Sequence, residues 1–213
     1  MRPPERWQSA RVTLAISALT ALAWLAAFLL GYEQIAAVWG GFIPARVVGL
    51  AGDELLAPVW LTPLTATFVH AGLIHVGFNL AILLFCGRAV ENILGAGALL
   101  ILYGVGAYAA AAGQYALGPD ALVPMVGASG AISSVLGAYA ALFGRNRVRV
   151  ANPSLAFWLN ALWLIVAWIA LQAVVGITFE TSGMRIAVGA HIGGFIAGLL
   201  LARPLLLLRY PRA

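Results

Sequence analysis

Residues 129–149 read SGAISSVLGAYAALFGRNRVR: fifteen small or apolar residues from Ser129 to Phe143, then Arg145, Arg147 and Arg149. As a helix the run spans about 22 Å, against about 30 Å for the hydrocarbon core of a bilayer. Arginines hold a helix end at the inner membrane–water boundary. The other end, at Ser129, must then begin roughly 8 Å inside the opposite face. The irregular run before it, GPDALVPMVGA, is tolerable at that depth only where protein covers it or it lines a watery cavity.

Composition supplies the membrane. Of 213 residues 63% are hydrophobic and 9% charged, and the mean hydropathy is +0.98, whereas soluble domains carry about 25% charged residues. Runs near the length of about 20 residues needed to cross a bilayer are drawn at 12–32, 73–90, 96–117, 129–144, 155–176 and 186–207. They predict an all-α polytopic membrane protein with a bundle of six transmembrane helices. The first, VTLAISALTALAWLAAFLLGY, is longer than the roughly 7–15 apolar residues of a signal peptide and reads as a retained helix. Cys86 is the single cysteine, so no disulfide framework or cysteine metal site arises.

All twelve basic residues are arginines. With the N-terminus cytoplasmic, Arg2, Arg6, Arg11, Arg88, Arg145, Arg147, Arg149, Arg203, Arg209 and Arg212 fall inside, and Arg46 and Arg185 outside. Glu33, Asp53, Glu54, Asp120 and Glu180 fall outside. This asymmetry predicts both termini cytoplasmic: a segment 1–11, a membrane domain 12–208 and a tail 209–213. The basic balance is therefore a topology signal and implies no nucleic acid. The long connection 33–72, aromatic and broken by Pro and Gly, is expected on or partly in the outer leaflet.

Polar side chains are costly in a membrane and mark function. His70, His75 and His191 all lie at or near the outer ends of drawn spans. His75 and Asn79 are one helical turn apart on a shared face. His191 lies about 8 Å into the last span, near the depth of Ser129. Ser129, Ser133 and Gly137 recur every fourth residue, and Gly194 and Gly198 form a small-xxx-small stripe that permits close helix approach. If the two stripes pack, Ser129 faces His191, the minimum arrangement for an activated nucleophile.

Taken alone, residues 127–130 read more simply as packing. Three histidines also suit zinc, but no HExxH pattern exists, and Asn79 is a poor zinc ligand. A solute carrier would spread its polar groups through the membrane, whereas these gather near one side. Glu91, three residues after Arg88, reads as half of a helix-end ion pair.

The pieces HAGLIHVGFN, ENILG, GASG and AHIGGFIAG, in that order, resemble the rhomboid family of intramembrane serine proteases, over about Ile43 to Leu200. The resemblance implies a peptidase cutting transmembrane proteins near their outward-facing ends, with Ser129 as nucleophile and His191 as general base. It implies oxyanion stabilisation by His75, Asn79, Gly127 and the backbone N–H of Ser129, and structural support from His70, Glu91, Gly130, Gly194 and Gly198. No metal or organic cofactor is implied; the partners are transmembrane substrates and the lipid bilayer. The expected location is a bacterial inner membrane, the site opening to the periplasmic or extracellular side. Two departures stand out: Ser133 occupies a place where some members carry an aromatic residue, and residues 33–69 lack a Trp-Arg pair found in others. A non-enzymatic relative that binds membrane clients is the competing reading, but such proteins normally lack the serine or the histidine.

Overall fold

The computed structural model describes residues 10–52, 57–144, 150, 152–181 and 186–211. Among these residues the regular structure is helical, with no strand: α1 (Arg11–Leu30), α2 (Glu33–Gly40), α3 (Thr62–Thr65), α4 (Leu73–Ile82), α5 (Arg88–Leu94), α6 (Ala96–Leu117), α7 (Ser129–Phe143), α8 (Pro153–Thr181) and α9 (Val188–Arg209). A π-helical turn, Leu83–Gly87, joins α4 to α5, so Leu73–Leu94 runs as one apolar rod.

Five of these helical stretches are long and apolar enough to cross a membrane: Arg11–Leu30, Leu73–Leu94, Ala96–Leu117, Leu155–Val174 and Val188–Arg209. α7, which opens on Ser129, has 15 residues. The expectation of six spans therefore resolves into five full-length stretches and one short helix.

Several drawn boundaries move for local reasons. The first span was drawn to 32, but Gly31 turns left-handed (φ 70°), and the N–H of Tyr32 closes on the Ala27 carbonyl, a glycine stop. The second, drawn to 90, continues to Leu94 and stops at Gly95 (φ 92°). The last, drawn to 207, reaches Arg209 with Pro204 inside it. The topology markers Arg2, Arg6, Asp53, Glu54, Arg145, Arg147, Arg149, Arg185 and Arg212 lie outside the described residues.

Lipid cannot drive helices together by hydrophobicity, so close packing and polar contacts must do it. The core shows both. α6, α7 and α9 meet through small residues: a Cβ on Gly106 would strike Ser134, one on Gly130 would strike Ala110, and one on Gly193 would strike the Ala109 carbonyl. A Cβ on Gly137, Gly194 or Gly198 would overlap the carbonyl of Phe195, Gly130 or Ser134 respectively. α7 is thus held on two sides at backbone distance.

On α1 the inward stripe is Thr13, Ile16, Ser17 and Thr20, while Leu22, Phe28 and Leu29 face out. Its first turn has backbone N–H groups without helical acceptors, and buried Glu91 fills that need. The carboxylate accepts from Val12 N (2.9 Å), Thr13 N (2.8 Å) and Thr13 Oγ1 (2.7 Å). Glu91 thus caps α1, with charge favourable to the helix dipole.

The connection 33–72 folds back over the irregular run before α7. Phe42 and Met125 exchange backbone bonds (3.0 and 2.8 Å), Ala45 N donates to Ala121 O (3.1 Å), and Gly127 N to Ala66 O (2.9 Å). Part of the irregular backbone before α7 is thereby paired with protein.

Candidate active site

Ser129 is the first residue of α7, and the helix carries no side-chain cap and no acid in its first turn. The N–H of a first helical residue has no acceptor within the helix, and the N-terminal end of the dipole favours negative charge. Ser129 is only partly buried. Its Oγ lies 2.8 Å from His191 Nε2. The contact follows from the packing beneath it, because Gly194 sits against the Gly130 carbonyl one helical turn after His191.

The other imidazole nitrogen is engaged too. His191 Nδ1 lies 2.8 Å from Gln172 Oε1 on α8, and Trp168 Nε1 donates to the His191 carbonyl at 3.1 Å. The Trp168 ring stacks on Phe195 (4.7 Å between centroids). Neither Gln172 nor Trp168 emerged from the sequence. The available signal was a lone amide in the apolar run WLIVAWIALQAVV, which by the cost of buried polar groups in lipid asks for a partner.

His75 lies close to the backbone just before the serine. Gly127 has φ +109°, a conformation suited to glycine, and a Cβ there would come within 2.6 Å of His75 Nε2. The imidazole therefore lies against the backbone two residues before Ser129. Asn79 is buried on the same helix, but its amide donates to the His75 carbonyl (2.8 Å) and its Oδ1 has no partner. As oriented, that donor is turned to its own helix rather than toward Ser129.

His70, 2% exposed, packs edge-on against His75 with centroids 5.0 Å apart, and its Nε2 accepts from Ala128 N at 3.3 Å. Burial, with the neighbouring His75, pushes its pKa down to about 4, so the ring is neutral at neutral pH and free to accept that bond. Ser133 Oγ donates to the Ser129 carbonyl (2.7 Å), so this hydroxyl is tied to its own helix. Glu91 lies apart from this group, at the α1 cap, while Gly130, Gly194 and Gly198 lie in the helix contacts beneath it.

A family model, the rhomboid domain, matches residues 58–208. This chain belongs to the rhomboid family. Among its relatives, rhomboid protease GlpG of Pectobacterium atrosepticum is 29% identical over 196 residues, covering 90% of this chain and 61% of its own length. Rhomboid protease GluP of Bacillus subtilis is 30% identical over 148 residues, which is 68% of this chain and 26% of that protein. GlpG of Salmonella choleraesuis is 32% identical over 146 residues, covering 65% and 46%. The chain thus spans less than two thirds of each of these relatives. Rhomboid membership and the apolar helices together make it an integral membrane protein.

Proposed function

We propose that this rhomboid chain is an intramembrane serine endopeptidase acting through a Ser129–His191 dyad. The observation that carries the reading is the 2.8 Å contact between Ser129 Oγ and His191 Nε2 at the start of a short helix. The relatives' printed name, rhomboid protease, supports the same class.

In this reading Ser129 Oγ attacks a substrate carbonyl carbon as its proton passes to His191 Nε2, since a serine is a weak nucleophile until a base takes that proton. The carbonyl electron pair moves to oxygen, and the oxyanion is met by the N–H of Ser129 with His75, Asn79 and Gly127 around it. Each fixed donor in such a site contributes about 3–4 kcal/mol. Asn79 must first turn its amide away from the His75 carbonyl. Collapse expels the amine, which takes the proton from His191. Water then attacks the acyl ester, giving its proton to His191, and the proton returns to Ser129 as the acid leaves.

The substrates in this reading are transmembrane proteins, cut near an outward end where the helix is unwound, because a continuous helix ties up its carbonyls. We assign six spans including α7, a cytoplasmic segment 1–11, a membrane domain 12–208 and a cytoplasmic tail 209–213. The site opens to the periplasmic or extracellular face of a bacterial inner membrane.

The test is cleavage of a single-span reporter by the purified protein in lipid. Wild type should cut, and Ser129→Ala and His191→Ala should each lose at least about 1,000-fold. Cleavage surviving Ser129→Ala would remove the nucleophile assignment. A panel cut by an established rhomboid but untouched by wild type would favour a client-binding role.

A further inference from the structure

We propose that Gln172 is the positioning residue for the base: from α8 it accepts the Nδ1–H of His191 and so keeps the Nε2 lone pair directed at Ser129. The inference rests on the protease reading and adds a residue to it. Imidazole has two neutral tautomers, and only the one protonated at Nδ1 can take a serine proton at Nε2. A carboxylate usually selects that tautomer in serine hydrolases, but here the group 2.8 Å from Nδ1 is an amide oxygen.

The placement is specific to this side chain. On α8, Leu171 is 51% and Val174 63% exposed, as suits a helix facing lipid, whereas Gln172 is 5% exposed and turned to the imidazole. Trp168, one turn earlier, holds the backbone of the same histidine through its N–H. α8 thus grips His191 at two atoms, one fixing the ring and one fixing its carbonyl. A neutral acceptor suits this site. It selects the tautomer without setting a buried negative charge beside the ring, which would strengthen the resting base and carry a large desolvation cost. When Ser129 transfers its proton, the imidazolium keeps the Nδ1–H bond to Gln172, and the transferred proton remains on Nε2 for the leaving amine. The other titratable group facing the imidazole among the described residues is His75; α7 and α8 bring the ring a hydroxyl and an amide.

The experiment follows the rate at which a fluorophosphonate labels the full-length protein in lipid, as a function of pH. In that reaction Ser129 Oγ bonds to phosphorus, fluoride leaves and His191 takes the hydroxyl proton, so no peptide substrate is needed. Gln172→Met keeps the length and removes the acceptor; it should label at least about 10-fold more slowly than wild type with little change in melting temperature. Gln172→Glu restores an oxygen at the same reach; it should recover labelling to within about threefold and move the acid limb of the profile to higher pH by about one unit or more. Gln172→Met labelling within about twofold of wild type at every pH, or Gln172→Glu leaving the acid limb in place, would overturn the proposal. Ser129→Ala is the control that separates the two readings: labelling that persists in it removes the protease assignment itself, whereas its loss together with normal labelling in Gln172→Met removes only the role of Gln172.

Discussion

α7 and α9 meet backbone to backbone, while α8 and α9 meet through side chains, and His191 belongs to both contacts. The first contact is a glycine seam: Gly137, Gly194 and Gly198 lie where any Cβ would overlap a carbonyl of the facing helix. The second combines an amide, an indole and a stacked aromatic pair with apolar packing of Ala161 against Phe195 and Leu199, on the helix with the smallest buried share among the five long apolar stretches. Seams of the first kind have no slack, because close-packed backbone cannot yield. Contacts of the second kind break one bond at a time. Ser129 therefore stands on the rigid side of the molecule, and His191 is shared between the rigid side and the loose one.

The largest expected effect comes from forcing the seam. Gly198→Leu sets a branched side chain into the Ser134 backbone and should cost more than about 3 kcal/mol or prevent folding, seen as loss of a cooperative melt in detergent. Val174→Ala, on the outward face of α8, should leave the melt nearly unchanged. Equal losses in the two variants would erase the distinction between the regions.

Glu91→Ala tests whether a polar clasp can be as firm as a glycine seam. It leaves two backbone N–H groups and the Thr13 hydroxyl without their acceptor, and a loss of about 2–4 kcal/mol is expected. Denaturant or thermal unfolding of the lipid-solubilised protein measures it.

His70 sharpens the comparison through pH. The folded ring titrates near 4 and an unfolded histidine near about 6.5. Below the latter value the unfolded chain binds a proton that the folded chain refuses, so stability falls as pH drops through this window. Between about pH 7 and pH 5 the loss is about 2 kcal/mol. His70→Gln should flatten that dependence, read from melting curves at the two pH values; an unchanged slope would mean that another group carries it.

The smallest effect is expected at the loose contact. Trp168→Phe keeps an aromatic ring against Phe195 and removes the N–H donated to the His191 carbonyl. A loss of about 1 kcal/mol, with a reduced fluorophosphonate labelling rate, would identify that bond as part of what seats α8.

Much of this was legible in the chain. The extent of the short Ser129–Phe143 helix was readable from its apolar run, and the four-residue spacing of small residues marked α7 and α9 as neighbours. Both are properties of local sequence. The third partner, α6, carries Gly106, Ala110 and Gly113 at four- and three-residue spacing, a less regular stripe. The cap that Glu91 forms was not legible, because nothing local announces that the first turn of α1, 78 residues away, needs an acceptor.

By itself, then, the sequence determined that this is a helical membrane protein, where its apolar runs lie, and which serine and histidines are candidates for one site. Such runs are set by residue count and hydrophobicity along one helix. The azimuth and the partners were decided only by the tertiary structure: that Gln172 turns inward to the imidazole, that Asn79 donates to its own helix, and that His70 accepts from Ala128. Those outcomes depend on which faces of separate helices meet, and that is settled by packing among elements distant in the chain.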